Sequence, residues 1–350
     1  MIRPVKIQGR PIGPDNPCYI VAEISANHNQ SYEKAERLIE LAKKAGADAV
    51  KLQTYTPDTM TIDCDNKYFR IKDGPWKGQT LYQLYKKAYT PWEWHAGLKK
   101  RADALGITFF STPFDATSAD FLEQLGVPAY KIASFEIVDI PLIRHVAAKG
   151  KPIIVSTGMA TLDEVAEAVK TIKAAGNDKI ILLKCTSGYP ALPEEMNLVN
   201  IDLLSTRFKV PVGLSDHSMD SRVVIAATAM GICLIEKHLT EKRSDGGPDA
   251  GFSLEPHEFK RMVEDVRITG KTMGKKGLRP SRGESQNLLF RRSLFAVANV
   301  KKGERFTGAN VRSIRPGNGL KPAEMGKIIG RRAAADVGKG TPIAWKHVAQ

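Results

Sequence analysis

KPIIVSTGMATLDEVAEAVKTIKAAGNDKIILLKCTSGYP (residues 151–190) is the stretch that decides the fold. It opens with an apolar run, Pro152–Ser156, and closes with another, Lys179–Lys184. Between them Leu162–Ala175 has its apolar residues at helical spacing, followed by Gly176, where a left-handed helix cap belongs. The two runs are unbroken Val, Ile and Leu rather than alternating. That is the signature of strands covered on both faces, so the stretch reads strand, helix, parallel strand.

The same unit recurs on both sides. Further strand-like runs are Cys18–Ile24, Asp48–Gln53, Thr108–Ser111, Tyr130–Ser134, Pro211–Ser215 and Ile232–Lys237. Ser31–Ala45 carries an apolar stripe of Ala35, Leu38, Ile39 and Ala42, with Ser31 as the N-cap candidate three residues before Lys34. Gly46, Gly106, Gly126 and Gly150 punctuate the other helix ends. Eight strand-then-helix units in about 250 residues predict an α/β fold, a (β/α)8 TIM barrel, over residues 1–275. A doubly wound sheet would require a Gly-rich phosphate turn after an early strand, and no GxGxxG occurs. Thr54–Leu81, rich in Pro, Asp and Gly, reads as a functional loop over the barrel mouth. Lys275-Lys276-Gly277 through Ser285 is polar and aperiodic, giving a linker at 276–290. Residues 291–350, with strands at Ser293–Val297 and Val311–Ile314, read as a small β-rich domain.

Composition narrows the partners. The 350 residues carry a net charge of +14, from 52 Lys and Arg against 38 Asp and Glu. The basic residues are dispersed over helix-like segments such as Lys34–Lys44, with no zinc-finger spacing, RNP-like motif or long basic run. Small anionic substrates are therefore expected, and neither nucleic acid nor membrane. Cys18, Cys64, Cys185 and Cys233 form no CxxC pair, the N-terminus lacks an apolar signal core, and no run of roughly 18 apolar residues occurs. A cytoplasmic location is expected.

A barrel gathers the C-terminal ends of its strands on one face, where active sites lie. Those ends read Glu23; Lys51 and Gln53; Ser111 and Thr112; Lys131, Ser134 and Glu136; Ser156 and Thr157; Lys184, Thr186 and Ser187 with Tyr189 beyond; Ser215-Asp216-His217; and Glu236-Lys237-His238. Lys51 and Lys131 with the hydroxyls of Ser134, Ser156 and Ser215 would cradle an oxyanion. Either lysine would alternatively serve as a Schiff-base amine. His217 and His238 close neighbouring strands, so their imidazoles are candidates to share a divalent ion, with Asp216 and Glu236 orienting them. Glu23 is a candidate general base, sugar orienter or partner of Lys51. His28 lies near the mouth with its role open; His95, His145, His257 and His347 read as structural or solvated.

AEISANHN (22–29), VKLQTY (50–55), STPFD (111–115), PAYKIASFE (128–136), STGMA (156–160), KCTSGYP (184–190), GLSDH (213–217) and IEKHLT (235–240) resemble, in order and spacing, the sialic acid synthase family. RRSLFAV (291–297) and SIRPGNGL (313–320) resemble its appended antifreeze-like, or SAF (β-clip), domain. ISANHN, TPWEWH (90–95), KIASFE and SIRPGNGL look more like the pseudaminic acid synthase branch than the N-acetylneuraminate branch, and a sister synthase forming N-acetylneuraminate or legionaminate differs only in its sugar. The resemblance implies condensation of phosphoenolpyruvate (PEP) with an open-chain acetamido sugar, releasing phosphate. It implies PEP binding by Lys51, Thr112, Lys131, Ser134, Ser156 and Ser215, and sugar contacts from Gln53, Glu136, Tyr189, Asp249 and Arg315. Glu23 would be the catalytic carboxylate, and His217 and His238 the ligands of a divalent ion, Mn2+ before Mg2+ or Co2+. A domain-swapped homodimer is implied, with Arg315 reaching the sugar across it. Ser187 departs from the Asn typical of the N-acetylneuraminate enzymes.

Overall fold

In the computed structural model, which describes residues 2–274 and 277–349, the chain begins with a hairpin that the sequence reading did not anticipate. Strands β1 (Val5–Ile7) and β2 (Arg10–Ile12) pair antiparallel around Gln8 and Gly9, both at positive φ, 46° and 79°. Glycine suits the second of these positions because it lacks the Cβ that penalises left-handed backbone. Val5, Ile7 and Ile12 are buried. The signal was present as Val5-Lys6-Ile7 alternation followed by Gln-Gly, but three-residue strands fall below the length at which periodicity is decisive.

Eight parallel strands then close a barrel: β3 (Tyr19–Glu23), β4 (Ala49–Thr54), β5 (Thr108–Pro113), β6 (Tyr130–Ile132), β7 (Ile153–Ser156), β8 (Ile180–Cys185), β9 (Val212–Asp216) and β10 (Leu234–His238). Closure comes from β10 pairing β3, in a register that sets His238 opposite Glu23. Each expected strand is present within a residue or two of its expected bounds. The helices between them bury one stripe each; Tyr32–Lys44 buries Ala35, Leu38, Ile39 and Ala42, and Ser31 Oγ accepts from the Lys34 amide at 3.2 Å. Every strand residue of β3 is buried, as its unbroken apolar pattern requires.

The chain divides into two compact units, Met1–Gly274 and Lys275–Gln350. In the second, β11 (Ser293–Ala296) and β12 (Val311–Ile314) pair antiparallel, and Leu294, Phe306, Val311 and Ile343 form a separate small core. Within the segment read as linker, Ser281 caps a helical turn at Arg282–Ser285, and a further turn follows at Gln286–Phe290. Lys275 and Lys276, the start of that reading, lie outside the described residues. Among the described residues no helix is long and apolar enough to cross a membrane.

Candidate active site

Side chains alternate in and out along a strand, and this period of two sorts the strand-end residues. Thr112, Ser215, Glu236 and His238 point inward and line a cavity of about 440 Å³ at the C-terminal mouth of the barrel. Their sequence neighbours point the other way. Ser111 bonds Thr54 Oγ1 at 2.7 Å, and Lys237 pairs with Asp216 at 2.5 Å and with the Ser218 carbonyl. Ser111, Asp216 and Lys237 therefore stand in the wall rather than at the site, a correction to the expectation that whole strand-end clusters converge. Lys184 likewise turns to the Cys185 carbonyl and Thr186, at 2.7 and 3.1 Å.

Of the other expected residues, Lys51, Gln53, Lys131, Ser134, Glu136, Ser156, Tyr189, His217 and Asp249 all line the same cavity. Glu23 is buried beside it, in contact with Lys51. Arg315 belongs to the second unit and is exposed there. Ser187 Oγ and Ser134 Oγ flank Gly158, whose α-carbon has no room for a Cβ between them.

At the floor two buried ammonium groups share one carboxylate. Glu236 lies 3.5 Å from Lys131 Nζ and 3.8 Å from Lys51 Nζ, and accepts from Ser215 Oγ at 3.1 Å. Lys131 donates to Ser156 Oγ at 2.6 Å and Lys51 to Thr112 Oγ1 at 3.1 Å. Burial works against the Lys51 ammonium, but Glu23 and Glu236 outweigh it and raise its pKa; burial lowers that of Lys131. For Glu23 burial wins over Lys51 and lifts the carboxyl to about 7. Glu136 is lifted to about 7 by burial too, and its Oε2 has no hydrogen-bond partner among the described residues.

His217 and His238 face each other with ring centroids 5.3 Å apart. The Thr186 carbonyl, 3.1 Å from His217 Nδ1, can only accept, so that nitrogen carries the proton. Ser25 Oγ lies between Asp249 and His238 Nδ1, 3.2 Å away. A hydroxyl donating to Asp249 must accept from His238, which protonates Nδ1 there as well. Each ring thus leaves Nε2 to the cavity, with no partner among the described residues. Burial favours the neutral form of His238, whereas for His217 burial is outweighed by the Cys185 sulfur, which favours the protonated ring until an ion takes Nε2. Two neutral imidazoles with their distal N–H groups held are the donor set a divalent ion takes. No third His, Cys, Asp or Glu joins them among the described residues. The remaining ligand positions would fall to water and substrate oxygens.

Sequence reasoning treated Glu236 as an orienter, although its i, i+2 relation to His238 places it on the same face. It missed Cys185, which ends β8 in the cavity 3.9 Å from His217 Nδ1, and Ser25. It also missed Trp76 and Phe252, which pack on Tyr189 with ring centroids 5.5 and 5.0 Å away. In TPWEWH, Trp92 stacks on Phe121 at 4.8 Å and Trp94 meets His28 edge-on; neither lines the cavity, so the segment is a packed shoulder.

Comparison with known proteins identifies the family. The NeuB family matches residues 38–277 and the SAF domain residues 291–349. The pseudaminic acid synthase of Campylobacter jejuni is 44% identical over 94% of this chain and 96% of its own. The N,N'-diacetyllegionaminic acid synthase of Legionella pneumophila is 39% identical over 98% of both. Among solved structures, an N-acetylneuraminic acid synthetase from Leptospira borgpetersenii, in complex with citrate, superposes with a TM-score of 0.74 at 32% identity, covering 82% of this chain and 96% of that one.

Proposed function

The chain belongs to the NeuB family and is an enzyme, and on that premise we propose that it condenses PEP with 2,4-diacetamido-2,4,6-trideoxy-L-altrose, giving pseudaminic acid and phosphate. The observation that carries the chemistry is the cavity floor, where Lys51 and Lys131 flank Glu236 with the hydroxyls of Thr112, Ser156 and Ser215 in reach. PEP carries phosphate and carboxylate on adjacent positions, and two ammonium groups with directed hydroxyls match them. Lys51, held charged by its carboxylates, is suited to this cradle rather than to Schiff-base attack.

Carbon 3 of PEP attacks the sugar aldehyde, and positive charge develops at carbon 2. Water adds there, and the tetrahedral intermediate loses phosphate with cleavage of its C–O bond. Glu23, lifted to about 7, takes the proton of that water. Glu136, Gln53, Tyr189 and Asp249 orient the sugar, and the lysines hold the phosphate and carboxylate throughout. His217 and His238 would hold a divalent ion, Mn2+ before Mg2+ or Co2+, which when bound supplies Lewis-acid polarisation of the aldehyde oxygen. The proposal extends to a cytoplasmic, domain-swapped homodimer in which Arg315 contacts the sugar. Arg315→Ala should then raise the sugar KM far more than the PEP KM; equal effects on both would remove Arg315 from the sugar site.

The 39% identity to a legionaminate enzyme supports a second reading, in which a different acetamido sugar, legionaminate- or N-acetylneuraminate-forming, is condensed at the same site. Phosphate release with PEP and Mn2+ separates the two, comparing the diacetamido altrose with N-acetylmannosamine, each with and without EDTA. EDTA-sensitive release with the altrose alone is expected. Release with N-acetylmannosamine alone would keep the chemistry and overturn the substrate. A borohydride-trapped adduct on Lys51 or Lys131, with activity surviving EDTA, would replace the mechanism by that of a Schiff-base aldolase.

A further inference from the structure

The cavity has two unlike halves. Its floor is charged and hydroxylic, whereas the wall supplied by the segment between Thr54 and Ala88 is apolar. Met60, Ile71, Leu81 and Tyr85 line that wall, each only partly buried. Phe135, which follows Ser134 of the floor, lines the same cavity while 57% exposed. Folding does not require these side chains to face open water. Apolar surface left wet forgoes roughly 25 cal/mol per Å² until something apolar covers it, and contiguous patches of this kind mark ligand grooves. Phosphate and carboxylate offer no such cover, and neither does a fully hydroxylated sugar.

The wall is also held in place. Trp76 Nε1 donates to the Pro248 carbonyl at 2.8 Å, and its ring packs on Tyr189 and Phe252. Arg70 bridges Thr80, and Thr80 caps the helix Leu81–Ala88 that carries Leu81 and Tyr85. One carboxyl side chain, Asp73, stands among the apolar lining residues of this wall, and its oxygens offer an acceptor for an amide N–H.

We infer that Met60, Ile71, Tyr85 and Phe135, with Asp73, form a specificity wall for the methyl-bearing part of the sugar. Acetamido methyl groups and a deoxygenated terminal carbon lie against the apolar side chains, and an acetamido N–H points to Asp73. The site therefore selects acylated, deoxygenated aldoses over hydroxylated ones. This rests on the condensation proposed above and names what discriminates among its sugars.

The test uses the full chain with PEP and Mn2+, and the substitutions Met60→Gln, Ile71→Thr and the pair together. Met60→Gln keeps the side-chain length and Ile71→Thr keeps the branch at Cβ while shedding the terminal methyl, and both add polarity at partly buried positions. The readout is the ratio of kcat/KM for the diacetamido-trideoxy altrose to that for N-acetylmannosamine. One methyl in an apolar pocket discriminates by roughly 10- to 200-fold, so each single change should lower the ratio about 10-fold and the pair about 100-fold. The KM for PEP should stay within about twofold, since the floor is untouched. A ratio unmoved in the double variant, with its thermal midpoint at the wild-type value, overturns the wall while leaving the condensation standing. Wild-type protein that turns over neither sugar, or fails to prefer the altrose, strikes the substrate reading itself and takes the wall with it.

Discussion

Four histidines are buried around the mouth of the barrel, and they divide into two pairs that burial alone does not distinguish. At the shoulder, His28 donates from Nε2 to Thr90 and accepts from the Gln30 amide at Nδ1, at 3.2 and 3.1 Å. His95 is satisfied in the opposite tautomer, donating from Nδ1 to the Pro91 carbonyl at 3.2 Å and accepting at Nε2 from Thr54 Oγ1 at 2.8 Å. At the floor, His217 and His238 use one nitrogen each and turn the other to the cavity. A buried imidazole with both nitrogens engaged is a packing element; one with a free nitrogen facing a cavity is available for chemistry. The distinction is geometric, and substitutions can break it.

The largest effect is expected at the floor pair. His217→Ala or His238→Ala should abolish stoichiometric Mn2+ binding, measured by equilibrium dialysis, and lower phosphate release by about 10³-fold or more. His95→Gln should leave bound Mn2+ unchanged. Loss of the ion from that shoulder variant as complete as from a floor variant would dissolve the contrast.

Glu23 extends the contrast to carboxylates, being buried against a charged partner yet lifted to about 7. Glu23→Gln should lower kcat by about 10²- to 10⁴-fold with far less effect on the KM for PEP. In the wild type kcat/KM should rise with pH through about 7, as the proton-accepting form appears. Lys51, Glu236 and Lys131 face this carboxyl and set where that limb falls. The sign for stability is opposite. The folded protein keeps a proton that the unfolded chain releases above its ordinary carboxyl value near 4.5, so this group's contribution falls as pH rises from about 4.5 to about 7. A flat pH profile across neutrality would take the proton transfer away from Glu23.

The shoulder pair should instead announce itself in acid. Burial lowers both His28 and His95 to about 4 from an ordinary value of 6.5. Below 6.5 the unfolded chain takes up protons that the folded protein refuses. Stability is therefore whole above that value and is lost as pH falls from about 6.5 to about 4. Each group would contribute roughly 3 kcal/mol to the loss at its full extent. Urea midpoints at pH 7 and pH 5 measure this, and His28→Gln or His95→Gln should flatten the difference. An unaltered acid slope in both variants would mean the rings are not held neutral by their packing.

Much of this was legible in the sequence, and the failures have physical causes. The eight strands were readable because residues such as Ile153–Ile154–Val155 and Ile180–Leu183 are covered on both faces and need no partner to declare themselves. Arg10 and Arg267 both reach Asp48, a cluster with no sequence signal because its members lie far apart along the chain. The strand ends were legible as a set but not individually. Ser215-Asp216 and Glu236-Lys237 each place one member in the cavity and one in the wall, and only the register decides which. The apolar wall was missed for another reason. Met60 and Ile71 come from a segment without periodicity, so nothing local shows that they share a face with Tyr85 of the helix Leu81–Ala88.

The finest test compares two hydroxyls in matching positions. Ser25 Oγ holds His238 Nδ1 at 3.2 Å, and Thr90 Oγ1 holds His28 Nε2 at the same distance. Removing either unpairs one N–H of a buried imidazole, Ser25 also giving up its bond to Asp249, so a purely structural account predicts lost stability in both variants and unchanged ion affinity in either. The proposed roles predict a split. Ser25→Ala frees His238 to rotate or change tautomer, and loss of such an orienting partner weakens ion binding about 10- to 100-fold. Thr90→Val leaves a buried N–H unpaired and should lower stability by about 1–3 kcal/mol, with Mn2+ affinity at the wild-type value. Titrating Mn2+ into both variants and measuring their urea midpoints gives four numbers. Affinity lost at Ser25 and stability lost at Thr90 would sharpen the contrast between floor and shoulder. Stability lost in both variants, with ion affinity unchanged in either, would return His238 to the structural class.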